Sequence, residues 1–305
     1  MNKLFRKRSH YKRELSRSNV SSFIFKFFSI FLMTSVALTF IYVMLWMVLT
    51  SFRSWDQFLL KPLNIFDFKS YTFENYTQVF KYVYRGERRK TFSYFQMLGN
   101  SLIHMSIGTV IGLIFEPLIG YVMAKFGFKR LNNVLLILII ITMTMPTIGT
   151  VYNTVKLMNT TLNLKNNWLN LIIQLSGGIN FSAIIYMNYF KNIPSDYAES
   201  AYIDGAGELS TYLRIYFLLA SPLLVATTVL RIIGFWNDYY SIFLYMPNRP
   251  TIAMGLWYIQ NDFSIKINYP PIFAALTLTS GISLILYALF SSKIMSSLSV
   301  GGVKA

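Results

Sequence analysis

The chain predicts an all-α integral membrane protein with six transmembrane helices and both termini cytoplasmic. Three observations predict it. Of 305 residues, 54% are hydrophobic and 13% charged, against roughly 25% charged in an ordinary soluble domain. The apolar residues gather in six blocks, Phe27–Leu49, Met97–Ala124, Leu131–Val155, Trp168–Phe190, Ile215–Phe235 and Ile272–Ser292, each close to the roughly 20 residues that carry a helix through a hydrocarbon core. Four of these blocks hold no charged residue, whereas a soluble core helix keeps a polar face.

The first block is too long for a signal-peptide core and no small-residue cleavage site follows it, so it reads as a retained span. Lys3, Arg6, Lys7, Arg8, Lys12, Arg13 and Arg17 precede it. Such a cluster favours the cytoplasmic face and anionic lipid, and the orientation rests on it, because even with the cluster counted the inner and outer segments carry almost equal numbers of Lys and Arg. The net charge of +16 is otherwise dispersed, which argues against a nucleic-acid partner. The absence of cysteine excludes disulfides and thiolate metal sites. His10 and His104 are the only histidines and lie far apart, so no metal site is expected. The expected organisation is a basic cytoplasmic tail (1–22), a first span with an extracytoplasmic segment (23–96), a five-helix core (97–292) containing a polar loop (193–215), and a cytoplasmic tail (293–305).

Span one ends with Trp46 placed for the interfacial aromatic belt. The following Thr50–Phe95 segment reads either as a solvated connector partly on the lipid surface or as a docking surface for an outer partner. Span two carries Gly99, Gly108, Gly112 and Gly120, and the spacing of Gly108 and Gly112 allows close helix contact. Glu116, followed by Pro117, is an ionisable group inside a span and hence a functional candidate. Arg231 in span five is its best-matched partner: the two form a structural pair, or one of them lines a pathway. Pro146 is expected to bend span three. Span four holds Gln174, Ser176, Gly177, Gly178, Asn180 and Asn188, which read equally as packing groups or as part of a translocation path. Trp236 and Asn237 close span five and join the pathway candidates. Four prolines within Ser241–Pro271 predict an ordered, non-helical loop.

No phosphate loop of the Gly-x-x-x-x-Gly-Lys-Ser/Thr type occurs, nor His-Glu-x-x-His nor Gly-x-Ser-x-Gly. No catalytic residue, metal or bound cofactor is expected. A single intramembrane carboxylate is too few for the ionic relay of a proton-driven carrier. Any energy for transport is therefore expected from outside the chain.

The stretch Ile193–Gly207 stands out as a polar island with Asp196, Glu199 and Asp204, followed by Glu208. Asp196–Asp204 predicts two turns of helix, with Pro194 near N1, Ser195 or Asp196 as cap, and Gly205 and Gly207 stopping it. Glu199, Ala201 and Gly205, with Ile215 ten residues later, match the spacing of Glu-Ala-Ala…Gly…Ile-x-Leu-Pro. Together with Leu49-Thr50-Ser51-Phe52, Phe73-Glu74-Asn75-Tyr76, Asn100-Ser101-Leu102, Trp236-Asn237-Asp238, Thr251–Leu256 and Gly301-Gly302-Val303-Lys304, the chain resembles the permease subunits of binding-protein-dependent ABC importers, in their maltose-type carbohydrate branch. Ser200, Phe217 and Leu218 depart from the family's alanine, leucine and proline, and Glu116 is foreign to its pattern. Loss of that proline is expected to straighten the entry to span five, leaving Pro222 as the remaining bend.

The resemblance implies a type I importer permease fold in a bacterial plasma membrane, importing a sugar or oligosaccharide by alternating access. It implies a second homologous permease, a dimer of ATP-binding cassette ATPase that hydrolyses the ATP, and an extracytoplasmic solute-binding protein as partners. Asp196, Tyr197, Glu199, Ala201, Tyr202, Asp204 and Gly205 would form the ATPase-coupling site. The tail Val300–Ala305 would reach the ATPase interface and the Ser241–Pro271 loop the binding protein. Glycerol phosphate or a polyol is the alternative cargo, and a stand-alone carrier or membrane scaffold the alternative class.

Overall fold

The computed structural model describes residues 2–64, 66–81, 83–85, 91–126, 129–144, 147–176, 180–261 and 268–300. The chain forms two compact units, residues 1–75 and 76–305.

In the first unit, α1 (Asn2–Thr50) contains the first span, Ser22–Thr50. A turn at Ser51–Arg53 leads to α2 (Trp55–Leu60). A helix end leaves carbonyls without donors, and the buried Arg53 supplies them: Nη2 donates to Gln57 O at 2.7 Å and Lys61 O at 2.8 Å, and Nη1 to Pro62 O at 3.3 Å. Asn75, also buried, donates from Nδ2 to the carbonyls of Ser51 and Arg53, both at 2.8 Å. The pieces around Thr50-Ser51 and Asn75 are thereby one hydrogen-bonded structure. Trp46 Nε1 reaches Pro62 O at 3.3 Å, which satisfies its polar edge as a belt tryptophan requires.

The second unit opens with α3 (Glu74–Lys81) and a small antiparallel hairpin, β1 (Val83–Arg85) and β2 (Thr91–Ser93), in register Tyr84 to Phe92. Ser93 and Gln96 then make a reciprocal capping box that starts α4 (Tyr94–Lys125), the unbroken second span. Pro117 is accommodated within it.

Spans three, four and five are not single rods. α5 (Lys129–Thr144) and α6 (Thr147–Lys156), with a π-helical turn at Leu157–Thr161, meet at 107°. The sixteen residues of α5 rise only about 24 Å, so span three departs sharply from the single bent helix expected; Pro146 lies outside the described residues. α7 (Trp168–Ser176) and α8 (Phe181–Lys191) are bent by 45°, a break that single-span reading missed, with Gly177 and Gly178 outside the described residues. Span five begins as α10 (Glu208–Thr211), a π-helical turn (Tyr212–Tyr216) and α11 (Phe217–Leu219), then turns 76° into α12 (Ser221–Asn237). The entry is therefore not straightened by the absence of proline at 218: Pro222 in the first turn of α12 lacks the N–H that would bond the preceding turn.

The Ser241–Pro271 segment is not a non-helical loop. It holds α13 (Tyr240–Tyr245) and α14 (Ile252–Asn261) before α15 (Tyr269–Val300). Its prolines fall between α13 and α14 or in the first turn of α15, where a missing N–H costs nothing. Among the described residues, three helices, Ser22–Thr50, Tyr94–Lys125 and Tyr269–Leu289, are long and apolar enough to cross a membrane, and there are up to six crossings if each bent pair is one span.

The row Gly108, Gly112, Glu116 and Gly120 lies along one face of α4, four residues apart. A Cβ on Gly108 would meet the Phe235 ring at 2.4 Å, one on Gly112 the Arg231 guanidinium at 2.3 Å, and one on Gly120 the Tyr186 Cβ at 2.4 Å and the Met187 backbone nitrogen at 2.8 Å. Gly120 lets α8 come to backbone distance, and Gly108 and Gly112 make room for the side chains of α12. One apolar cluster, including Met97, Trp236, Ile242, Met246 and Met254, fills one end of the unit. A second, of Tyr121, Tyr186, Phe190, Tyr212, Tyr216 and Leu224, fills the end that carries residues 193–207.

Gly120→Val should therefore lower the thermal unfolding midpoint in detergent by an amount equivalent to about 1–3 kcal/mol. Gly99, with nothing within 4 Å of an added Cβ, should gain about 0.5–1 kcal/mol on replacement by alanine. Both are read by thermal unfolding of the purified chain.

Candidate functional site

The polar island folds as α9 (Asp196–Ile203), with Ser195 at the N-cap and Asp204 at the C-cap. Pro194 sits one residue before the cap rather than at N1, and Ser195 makes no side-chain cap bond; its carbonyl instead accepts from Ala198 N and Glu199 N. The C-terminus is closed as expected of glycine. Gly205 has φ +80°, its N–H donates to Tyr202 O at 3.0 Å, and Ala206 N donates to Ala201 O at 2.9 Å. These two bonds make a Schellman cap.

The helix has two chemically distinct faces. Ala198 and Ala201 are buried, with Ala198 packed into the aromatic cluster at this end. Asp196, Glu199, Asp204 and Gly205 are exposed, as are Tyr197 (50% accessible), Tyr202 and Ile203 (87%). Ala201, grouped with the contact residues from sequence, thus belongs to the inward face: the small side chain lets the helix lie close to its own protein.

Three contacts fasten this loop to α4. Lys125 Nζ donates to Ile193 O at 2.7 Å and lies 5.0 Å from the centre of the Tyr216 ring. Tyr121 Oη donates to Glu208 Oε2 at 3.3 Å. The Tyr121 ring packs on Tyr212 and Tyr216, with centroids 4.9 and 5.0 Å away, and edge-on to Phe190 at 5.9 Å. These contacts tie the loop to α4 and to the first part of span five.

Deeper in the unit, Glu116 is 2% exposed and its Oε1 accepts from both Arg231 Nη2 and Asn180 Nδ2. Asn180 also caps α8, its Oδ1 accepting from Ser182 N at 2.9 Å and Ala183 N at 3.3 Å. The structure thus brings together three of the intramembrane candidates. Trp236 and Asn237 stand apart from them. Trp236 is buried and donates from Nε1 to Thr279 O on α15 at 3.1 Å; Asn237 is exposed and donates to Ile233 O at 2.8 Å. Of the other polar residues of span four, Gln174 bonds to the buried Asn170, and Asn188 is exposed.

One pair was missed from sequence. His104, fully buried in α4, has Nε2 3.1 Å from Asp238 Oδ2. Burial alone would raise the Asp238 carboxyl, but hydrogen bonds from His104 and from the Ser241 amide outweigh it and hold the group below the usual carboxylate value. The signal available was His104 itself, a second ionisable residue within the apolar block of span two. Among the described residues, no group of three or more His, Cys, Asp or Glu could hold a metal ion.

Gly205→Ala places a Cβ in the left-handed region and should cost about 1–2 kcal/mol. The loss should appear as faster hydrogen exchange of the amides at 205 and 206, with the apolar spans unchanged.

Comparison with known proteins places this geometry in a family. The sequence profile for "Binding-protein-dependent transport system inner membrane component" matches residues 117–294. The chain is 30% identical over 220 residues to a putative ABC transporter permease protein, ORF2, of Caldicellulosiruptor sp., covering 70% of this chain and 77% of that protein. It is 27% identical to the multiple sugar-binding transport system permease protein MsmG of Streptococcus mutans, covering 67% and 75%. Against the arabinooligosaccharides transport system permease protein AraQ of Bacillus subtilis it is 26% identical, covering 88% and 92%. A crystal structure of a bacterial ABC transporter involved in the import of the acidic polysaccharide alginate superposes with a TM-score of 0.72 at 20% identity, over 89% of this chain and 97% of that one. A second, of an alginate transporter in complex with a pentasaccharide-bound periplasmic protein, gives 0.57 at 16% identity, over 81% and 91%. The chain belongs to the binding-protein-dependent transport system inner membrane components, as a multi-pass ABC importer permease.

Proposed function

We propose that this permease imports a sugar or oligosaccharide, driven by ATP that a separate ATPase dimer hydrolyses. The observation that carries the reading is α9: a short helix fixed to its own protein by Ala198 and Ala201 and presenting Asp196, Tyr197, Glu199 and Tyr202 outward. A stand-alone carrier has no use for a rigid, exposed carboxylate-and-tyrosine face. A cleft in a soluble ATPase would take it, and closure of that ATPase would move α8 and α12 with it. A second homologous permease completes the pathway, and a solute-binding protein delivers cargo on the opposite side. Both termini and α9 face the cytoplasm in this arrangement. The chain itself binds no cofactor.

Carbohydrate cargo is supported by the relatives, whose names specify multiple sugars and arabinooligosaccharides. The buried pair bears on the choice of sugar. Arg231 is 15% exposed and is matched by Glu116, so it offers no free positive charge to an anionic cargo; this supports a neutral sugar over glycerol phosphate. The tail residues 301–305, assigned to the ATPase interface by resemblance, lie outside the described residues.

Detergent-solubilised chain should copurify with an ATPase and a second permease. In vesicles, ATP hydrolysis should rise when binding protein and the correct sugar from a panel are added. Glu199→Lys should abolish ATPase copurification and uptake while all spans still insert. Normal uptake by this variant would overturn the reading.

A further inference from the structure

The face of α4 built from residues 108, 112, 116 and 120 changes its partner halfway along. Gly108 and Gly112 receive Phe235 and Arg231 of α12, and Gly120 receives Tyr186 and Met187 of α8. Glu116 stands at the changeover, the one ionisable member of the row. Its Oε1 accepts from Arg231 on α12 and from Asn180 at the start of α8. Residues 191–208, including α9, join α8 to the first part of span five. The two helical arms that leave the coupling loop therefore end on the same carboxylate oxygen.

Both arms are bent, the first of them where it meets this oxygen. Asn180 lies at the 45° break of span four, and Arg231 lies in α12 beyond the 76° break of span five. A displacement of the loop is resisted in both arms by one residue. The bonds to α8 and α12 hold the three helices together, yet they leave part of the carboxylate unused: Glu116 Oε2 is buried with no hydrogen-bond partner, and a buried ion pair is weak evidence for stability because desolvation consumes much of its Coulomb gain. What an ion pair with a shared acceptor offers instead is two discrete arrangements, made or broken, as a two-state element requires.

We propose that Glu116 is a positioning residue, an intramembrane latch that ties both arms of the coupling loop to α4 so that movement of α9 is transmitted to the spans as one step. Gly112 is part of the device, because it alone leaves room for the Arg231 guanidinium. The proposal rests on the importer reading, since without an ATPase there is no movement to transmit.

The test compares Glu116→Gln, Arg231→Gln and the double variant in the importer assembled with its ATPase and second permease in vesicles. ATPase copurification is scored first, then ATP hydrolysed per sugar imported. In the single variants ATP hydrolysed per sugar should rise about tenfold or more, the two-state balance being shifted by the loss of a buried charge partner. The double variant, which has no unpaired buried charge, should assemble like the parent and remain uncoupled; it carries the test if Glu116→Gln fails to assemble. The latch is overturned if Glu116→Gln keeps the parent's ratio, or if the double variant regains it, the pair then being structural. It is also overturned if Arg231→Gln raises only the half-saturating sugar concentration, which would place Arg231 in the pathway. A parent chain that copurifies no ATPase overturns the importer reading instead.

Discussion

Close approach of helices along one face of α4 is the constraint on which the second unit depends. Inside a bilayer, apolar contact with a neighbouring helix gains little over contact with lipid, so association rests on packing distance and hydrogen bonds. Gly108, Gly112 and Gly120 supply the distance, since a methyl group at any of them would collide with α12 or α8. The hydrogen bonds come from the few polar residues within reach: Glu116 with Asn180 and Arg231, His104 with Asp238, and Trp236 with Thr279. Remove the small residues and the pairs that join α4 to its neighbours lose the separation at which they bond.

A related economy governs the coupling loop. Its helix is only eight residues long, too short to persist alone in water. It is held because its last carbonyls are satisfied by the Gly205 cap, its alanine face is buried, and its flanks are tied to Lys125 and Tyr121. Stability therefore comes from the permease core rather than from helix propensity, and the exposed residues contribute little to it.

Much of this was legible in the sequence. The apolar blocks located the candidate spans, three as single helices and three as bent pairs, because hydrocarbon thickness sets the length of an apolar run. Gly205 announced a left-handed residue, and Glu116 and Arg231 pointed to each other because isolated charges are costly in lipid. What escaped was angular. A 107° turn in span three and breaks in spans four and five leave hydropathy unchanged, since a bent apolar run averages the same as a straight one. The helices α13 and α14 were hidden by prolines whose turn positions only the fold reveals. The His104 and Asp238 pair, 134 positions apart in the chain, had no local pattern at all.

The division of α9 into a buried alanine side and an exposed acidic and aromatic side has an evolutionary corollary. Ala198 and Ala201 answer to the permease's own interior, whereas Tyr197 and Glu199 face outward; Tyr202 belongs to both, since its hydroxyl also bonds Glu208 and Tyr121. Mutations on the outer side are close to neutral for folding, so drift there is filtered by partner choice alone. On the proposed reading such a helix is an exchangeable plug, whose outer positions can change with the partner while the membrane domain remains as it was.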